Sequence, residues 1–427
     1  MDELLNKVRG PELVAQFQRL CGLSLLPPQA EGQSQPVSTA RCRDQVNTEN
    51  NRTASAAPVP RKKYKVENYF LYYLFLFAAT LGQEVFYITF LPFCYWNIDP
   101  YVARRVINIW AIVMYIGQAS KDVLKWPRPP SPPVVKLEVR VDAEYGMPST
   151  HAMAATAIPF TFLLTTMNRY KYPCELGLLL ALAICTLVSL SRIYTGMHTV
   201  LDVLCGVALT ALLVAVSYPF WDAVETFQMK NSFAPLLALS LSFLVSIYYP
   251  ELDHWSTARG DTTNIVSAGG GAAVATWINH QWSLIPEPVS APPYQIPSLS
   301  TGLLCRMGTR FTIGIVIVFI ARQVIKSVAL TLVCRLAGVS TRDQEARKLL
   351  RVEVPYKYIT YSCLGVVGLA VCPAVHRVYR NMLHQAQYGC LLLQGPTLTV
   401  GIHSERLREE AWLNDWDFRL RRLNKLP

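Results

Sequence analysis

The chain has 427 residues, of which 52% are hydrophobic and only 16% are charged, and its mean hydropathy is +0.24. So few charges cannot cover the water-facing surface of a soluble protein of this length. The net charge of +11 is carried by lysine and arginine in the polar tail and the loops, and no basic segment interleaved with aromatic residues indicates nucleic-acid binding. Composition therefore excludes a soluble protein and indicates a membrane protein.

The N-terminal tail, residues 1–63, is polar and begins with hydrophobic residues at roughly helical spacing. This spacing predicts an amphipathic helix that lies on a membrane surface or docks on the protein itself. Residues 27–60 are rich in Gln, Ser, Pro, Ala and Asn and are predicted to be disordered. They contain a glycosylation sequon at Asn51.

Apolar runs of about 17 to 25 residues follow, the length that crosses a hydrocarbon core about 30 Å thick. They predict an all-α, polytopic transmembrane bundle of roughly 8 to 10 helices. In the seventh run, the glycines from Gly269 to Gly271 indicate close helix packing or a break. The nine runs cover residues 69–93, 105–124, 152–167, 174–190, 199–221, 233–250, 263–283, 312–334 and 356–375.

The cysteines do not indicate a metal or disulfide framework. All 11 are scattered singly, many of them inside apolar runs, and none forms a C-x-x-C pair. Single cysteines in apolar segments are typical of small buried hydrophobic residues. We therefore predict neither a zinc site nor a set of disulfides.

A first polar cluster, KDVLKWPRP from Lys121 to Pro129, lies at the end of the second apolar run. Pro127 and Pro129 should end the helix, because proline lacks an amide proton and restricts the residue before it. Lys121 lies about two turns before this break and can point into the bundle, and Arg128 can lean back from the loop. Alone, such residues are also typical of basic side chains that extend to a membrane interface.

A second polar cluster, GMPSTH at residues 146–151, directly precedes the third apolar run. Proline, serine and threonine are typical of a helix start, where free amide protons and the helix dipole attract anions. A lone histidine here is usually a cap or a solvated residue. Beside two hydroxyl groups, His151 becomes a candidate site residue, together with Ser149.

A third polar cluster, SRIYTGMHTVLD at residues 191–202, separates the fourth and fifth runs. On a helix, His198 and Asp202 would be i and i+4 neighbours, so the carboxylate could accept the Nδ1 proton of the imidazole. That bond would fix the tautomer and leave Nε2 as a nucleophile. The pair could equally be two metal ligands or a structural hydrogen bond.

The three clusters together indicate one chemistry. Alternating crossings place all of them on the same membrane face, where they supply two histidines, a carboxylate, hydroxyl groups and the cations of Lys121, Arg128 and Arg192. These three cations, here called the phosphate clamp, would repel a divalent metal ion but hold a phosphate dianion. We therefore predict a phosphoryl-transfer site that uses no metal and no cofactor.

The spacing of the clusters matches a known signature. The motifs are K-x6-RP from Lys121, PS-x-H from Pro148 and SR-x5-H-x3-D from Ser191. In this order, the motifs resemble those of the type 2 phosphatidic acid phosphatase superfamily. The wider context, including GQEVFYITFLPF at 82–93 and AEYGMPSTHAMAAT at 143–156, is similar to the sphingosine 1-phosphate phosphatase branch.

The resemblance implies a metal-independent phosphoric monoester hydrolase acting on sphingosine 1-phosphate and dihydrosphingosine 1-phosphate. His198 would attack phosphorus and form a phosphohistidine, Asp202 would orient the ring, and His151 would protonate the leaving alkoxide and then activate water. The implied location is the endoplasmic reticulum membrane, with a lipid phosphate and the bilayer as partners. The phosphoryl oxygens would be bound by Ser149, Lys121, Arg128 and Arg192.

The likeness extends roughly over residues 64–375 and fades beyond 376. We accordingly predict a phosphatase core at 64–222, additional transmembrane helices at 223–376 and an extension of unknown role at 377–427. One departure concerns Thr150, where the superfamily often has glycine and a side chain could crowd the approach of backbone to phosphate. The resemblance to the sphingosine 1-phosphate phosphatase branch implies that this branch shares the threonine, so we expect no such effect.

Other functions are compatible with parts of the pattern. A phosphatase for lysophosphatidate, phosphatidate, a polyprenyl diphosphate or glucose 6-phosphate would use the same clamp. A vanadium-dependent peroxidase shares the anion site, but the membrane-spanning architecture disfavours it. A lipid transporter or scaffold would use the clamp only for binding, which leaves His151 and His198 without a reason to accompany it.

The orientation in the membrane has two readings. Basic residues at 61–65 and 335–357 fall on the predicted active-site face, and the positive-inside rule would make that face cytosolic. The resemblance instead implies a site facing the lumen. Glycosylation of Asn51 would place the tail, and with it the site, in the lumen.

Overall fold

The computed structural model describes residues 2–26, 64–138, 144–252, 256–285, 291–380 and 382. Asn51, the segment predicted to be disordered and most of the C-terminal extension lie outside these residues. The chain divides into two compact units, Met1–Pro373 and Ala374–Pro427. The first unit contains the three polar clusters.

The fold is helical, as predicted, apart from a two-stranded antiparallel sheet that pairs Leu23 with Val66. Two short helices and both strands come before the apolar runs. The elements are α1 (Asp2–Arg9), α2 (Pro11–Leu20), β1 (Leu23–Leu25), β2 (Tyr64–Val66), α3 (Tyr69–Thr80), α4 (Glu84–Phe93), α5 (Pro100–Leu124), α6 (Thr150–Thr166), α7 (Cys174–Tyr194), α8 (Val200–Ser217), α9 (Trp221–Lys230), α10 (Ala234–Ile247), α11 (Ala258–Gln281), α12 (Thr301–Leu336) and α13 (Leu350–Val366).

Several helices are long and apolar enough to cross a membrane, so the prediction of a multi-pass membrane protein is confirmed. The described residues contain four such spans. The count is five if α3 and α4, which are bent relative to each other within the first predicted run, together form one more span. Every predicted apolar run overlaps at least one helix, but α6 and α10 are short and α5 carries charges near both ends. The spans are Cys174–Tyr194, Val200–Lys230, Thr301–Leu336 and Leu350–Arg380.

The interior of the bundle is formed around two helices. α6 packs against α5, α7 and α8, and α11 packs against α5, α10 and α13. A side chain at Gly271 would overlap the backbone of Ser362 on α13, so this glycine permits the two helices to approach closely. Because α11 is continuous through the glycine run, close packing, rather than a break, is the correct interpretation.

The outer helices present apolar side chains away from the bundle. In the most apolar stretch of α12, only 11% of the residues are buried, and on α7 Leu176 and Leu179 are exposed. Exposed apolar surface of this extent is unfavourable in water and is expected where a helix contacts lipid.

The N-terminal helices dock on the protein, which decides between the two predicted placements. On α2, Val14 and Ala15 are buried in a cluster with residues of the polar motifs. Gln18, also buried, donates from Nε2 to the carbonyl oxygens of Val135 and Tyr194 at 2.7 and 2.8 Å. Its Oε1 accepts from the Val135 amide at 2.9 Å. One side chain thus joins α2 to the segment between the first two motifs and to the end of α7.

The turn after α7 requires a glycine. Gly196 has φ +72°, a left-handed conformation that side chains disfavour. A Cβ at this position would overlap the carbonyl oxygen of Val135. The close approach places the segment around Val135 directly against the third motif, where the amide of Leu137 donates to the Thr195 carbonyl at 3.1 Å.

Replacing Gln18 by leucine should destabilise the protein. The three backbone groups it bonds would remain buried without partners, at a cost of about 1 to 3 kcal/mol each. The unfolding temperature in detergent should fall by several degrees. Gln16→Leu, at an exposed position of the same helix, is the matched control and should change stability by less than about 0.5 kcal/mol; equal effects would contradict the bracing role.

Gly196→Ala should be more destabilising than Gly338→Ala. Both glycines have positive φ, but a side chain at Gly338 would meet nothing within 4 Å. The Gly338 variant should therefore lose only the conformational term of about 1 kcal/mol, whereas the Gly196 variant must also displace the Val135 backbone. Thermal unfolding of the two variants measures the difference, and similar unfolding temperatures would show that the contact does not matter.

Candidate active site

The first motif supplies two cations from the end of α5 and the loop after it. The helix ends at Leu124, ahead of Pro127 as predicted, with Lys125 in a left-handed conformation. Lys121, in the last turn, is buried, and its Nζ donates to Thr150 Oγ1 at 3.1 Å. Arg128 donates from Nε to the Glu144 carbonyl at 2.9 Å and from Nη1 to the Met197 carbonyl at 3.1 Å. These bonds tie the first motif to the second and third.

The second motif forms the start of α6. Ser149 is the N-cap residue, but its hydroxyl makes no capping bond, and its amide donates to the Asp202 carbonyl at 3.0 Å. Thr150, the departure from the superfamily pattern, turns its hydroxyl towards Lys121. His151 lies against the break between α3 and α4, where a side chain at Gly82 would overlap the imidazole. The second motif is therefore packed between the other two motifs and the bend that joins α3 to α4.

The third motif places Arg192 in the last turn of α7, almost completely buried at 2% exposure. Its Nη1 and Nη2 donate to the two carboxylate oxygens of Glu138 at 2.8 and 3.2 Å. A bidentate pair of this kind fixes the plane of the guanidinium. The Nε–H group is not used in this ion pair and points along another edge of the guanidinium.

The predicted bond between His198 and Asp202 is not formed. His198 lies in the turn before α8, which begins at Val200, so the pair is not on one helix. The His198 Nδ1 to Asp202 Oδ2 distance is 3.8 Å, too long for a hydrogen bond. Asp202 Oδ2 instead accepts from the Thr199 amide at 2.8 Å, and the Thr199 hydroxyl accepts from the Asp202 amide at 3.2 Å. The carboxylate belongs to a capping box.

The positive charges of the clamp converge on the two histidines. Burial, followed by the fields of Arg128, Arg192 and Lys121, holds the pKa of His198 well below its ordinary value of 6.5. The same three cations act on His151. His198 is therefore neutral at physiological pH, as a nitrogen nucleophile must be.

Several buried polar atoms of the site make no hydrogen bond within the described part of the chain. Buried polar groups in folded proteins are nearly always paired, so several such atoms on neighbouring motifs are typical of a site that binds a polar ligand. The four atoms are the hydroxyl oxygen of Ser149, Nε of Arg192, Nδ1 of His198 and Oδ1 of Asp202.

The structure adds two acidic residues that the sequence did not single out. Glu138 binds Arg192, and Glu144 Oε2 lies 3.5 Å from Arg128 Nη2 and 3.9 Å from Lys121 Nζ. Neither belongs to a motif, and both lie in the stretch between the first two, so no spacing rule predicts them. The capping box was detectable, because Thr199 and Asp202 have the T-x-x-D spacing.

No three His, Cys, Asp or Glu side chains among the described residues are grouped so that they could hold a metal ion. The i, i+4 pair of His198 and Asp202 therefore has no third ligand of these types nearby in that part of the chain. The absence of metal from the reaction remains a prediction.

Comparison with known proteins gives a consistent result. The family profile described as the PAP2 superfamily matches residues 103–225, a range that contains all three motifs. No solved structure is significantly similar to the chain.

The similar curated proteins include sphingosine-1-phosphate phosphatase 2 of Homo sapiens, 48% identical over 88% of this chain and 99% of the relative. Sphingosine-1-phosphate phosphatase 1 of Rattus norvegicus is 38% identical over 85% of this chain and 94% of the relative. A dihydrosphingosine 1-phosphate phosphatase of Schizosaccharomyces pombe is 31% identical over 53% of this chain and 59% of the relative. The chain therefore belongs to the PAP2 superfamily and, within it, to the family of the sphingosine-1-phosphate phosphatases.

Proposed function

We propose that the protein hydrolyses sphingosine 1-phosphate, and related sphingoid base phosphates such as dihydrosphingosine 1-phosphate, to the free base and inorganic phosphate. The observation that carries the proposal is the convergence of Lys121, Arg128, Arg192, His151 and His198 from three motifs. The names of the similar proteins support the substrate class.

In the first step, His198 attacks phosphorus and the bond to the lipid oxygen breaks. The imidazole is neutral and carries a free electron pair on Nε2, while Nδ1 keeps the proton. The ring becomes positively charged as the phosphohistidine forms. Asp202, at 3.8 Å from Nδ1, is close enough to stabilise that charge electrostatically without a hydrogen bond in the free enzyme.

His151 manages the protons of both steps. In its protonated form it donates a proton to the alkoxide of the leaving lipid, and the neutral imidazole that results then removes a proton from the water that attacks the phosphohistidine. The negative charge of the bound phosphate offsets the field of the cations and permits protonation of His151 in the first step. General acid and base catalysis of this kind contributes about 10² to 10⁴ in rate. The position of His151 at the start of α6, within the field of the three cations, favours the neutral base that the second step needs.

The phosphate clamp binds the phosphoryl oxygens, with Ser149 Oγ as an additional donor. Arg192 is oriented by Glu138, and within the described residues its Nε–H and the Ser149 hydroxyl are buried without hydrogen-bond partners. Donors held in place before the substrate arrives stabilise the charge that develops during phosphoryl transfer.

The membrane determines how the lipid substrate approaches the site. Apolar side chains exposed on α7 and α12 indicate lipid contact, and the polar motifs lie where helices end. A single long hydrocarbon chain can therefore remain among the lipids while its phosphate reaches the clamp. We assign the protein to the endoplasmic reticulum membrane, as the resemblance implies.

His198→Ala should reduce turnover of sphingosine 1-phosphate by at least about 10³-fold, because the nucleophile is lost. Purified protein in mixed micelles should be tested on a panel that also contains dihydrosphingosine 1-phosphate, lysophosphatidate and phosphatidate. The sphingoid base phosphates should be hydrolysed with the highest kcat/KM.

The control is His280→Ala, which replaces an exposed histidine at the end of α11 and should retain wild-type turnover. Unchanged activity in a folded His198→Ala protein would overturn the nucleophile assignment. Preference for lysophosphatidate or phosphatidate would overturn the substrate assignment alone.

Hydrolysis should persist in EDTA, because the clamp supplies the positive charge that a metal ion provides in other phosphatases. The initial rate should be measured on chelator-treated enzyme, with and without added magnesium. Loss of activity with recovery in magnesium would show that the reaction needs a metal ion.

A further inference from the structure

Two carboxylates contact the cations of the clamp, and they do so differently. Glu138 makes a short, bidentate pair with Arg192. Glu144 makes longer contacts with two cations at once, 3.5 Å to Arg128 and 3.9 Å to Lys121. The first geometry resembles a permanent salt bridge, and the second resembles an anion shared loosely between two donors.

Glu138 is held in place by its backbone. Three residues before it, Val135 is bonded on both sides by Gln18, and the amide of Leu137 is bonded to the end of α7. These contacts fix the backbone, and the two bonds to Arg192, at 2.8 and 3.2 Å, hold the carboxylate. Glu138 therefore orients the guanidinium of Arg192 and is not replaced by substrate.

Glu144 can move as a side chain alone. Its carbonyl oxygen accepts from Arg128 Nε at 2.9 Å, which fixes the backbone, while its carboxylate is partly exposed, at 18%. Within the described residues, the second carboxylate oxygen accepts only from the exposed hydroxyl of Thr257, at 3.2 Å. Rotation of this side chain would uncover Lys121 and Arg128 and leave the rest of the site unchanged.

The charges of the site explain why such a movement is needed. Three cations, Lys121, Arg128 and Arg192, face three carboxylates, Glu138, Glu144 and Asp202, and the buried carboxylate of Asp122 also acts on Lys121. The positive charge of the cluster is thus already compensated before a phosphate dianion enters. Glu138 and Asp202 are fixed by the ion pair and the capping box. The Glu144 carboxylate, with its longer contacts, is the one that a phosphate can displace.

We propose that Glu144 is an internal counter-anion of the clamp, which occupies the place of a phosphoryl oxygen between Lys121 and Arg128 and is displaced when phosphate binds. The proposal rests on the function proposed above, because it takes the clamp as the phosphate site. In this role Glu144 keeps two buried cations neutralised in the free enzyme and weakens the binding of both substrate and product phosphate. Its side chain therefore sets the affinity of the site for phosphate.

The test is the affinity of full-length protein in detergent for inorganic phosphate, measured by isothermal titration calorimetry at pH 7 and fixed ionic strength. Glu144→Gln keeps the shape of the side chain and removes its charge. We expect it to bind phosphate about tenfold more tightly than wild type, a difference of about 1.4 kcal/mol. The KM for lipid substrate should fall in parallel.

Glu138→Gln is the matched control, because it removes the same charge from the same cluster. Since phosphate does not displace Glu138, and its loss disorders Arg192, this variant should not gain affinity. If both variants gained the same affinity for phosphate, the change in net charge alone would explain the gain, and the proposal would be overturned. Unfolding temperatures without phosphate verify that both variants fold.

Unchanged or weaker phosphate binding by folded Glu144→Gln would overturn the proposal, because the carboxylate would then support the clamp. Phosphate binding does not require turnover. Failure of wild type to hydrolyse sphingoid phosphates would therefore count against the proposed function and leave the comparison of affinities intact. Normal hydrolysis with no affinity gain would reject the counter-anion alone.

Discussion

Buried positive charge is the constraint on which the rest of the site depends. Lys121 and Arg192 are almost completely inaccessible to water, and charges at such depth are unfavourable without partners. Each cation of the clamp has therefore acquired hydrogen bonds or carboxylates from a different part of the chain. A phosphate group bound at the proposed site would meet the same requirement for compensating negative charge.

Much of this arrangement could be predicted from the sequence. The apolar runs predicted the helices because their length reflects bilayer thickness, and the motifs predicted which side chains would meet. The end of α5 before Pro127 followed from proline's missing amide proton. These features are encoded locally, so a linear pattern contains them.

The features that the sequence did not predict depend on contacts between distant residues. One exception is local: His198 is separated from Asp202 because the helix begins only at Val200 and Thr199 competes for the carboxylate. Glu138 and Glu144 acquire their roles by reaching cations on other elements. The N-terminal helix had two possible positions, and only the buried bonds of Gln18, to residues 117 and 176 positions away, decide between them.

The bonds of Gln18 also determine how much of the chain is needed to hold the site together. The superfamily match starts at residue 103, yet the segment that carries Glu138 is fastened by a side chain from near the N-terminus. A fragment trimmed to the superfamily boundaries would retain every motif and lose this brace. The folded unit that holds Glu138 against Arg192 thus extends beyond residues 103–225, because Gln18 braces the segment that carries Glu138 from outside that range.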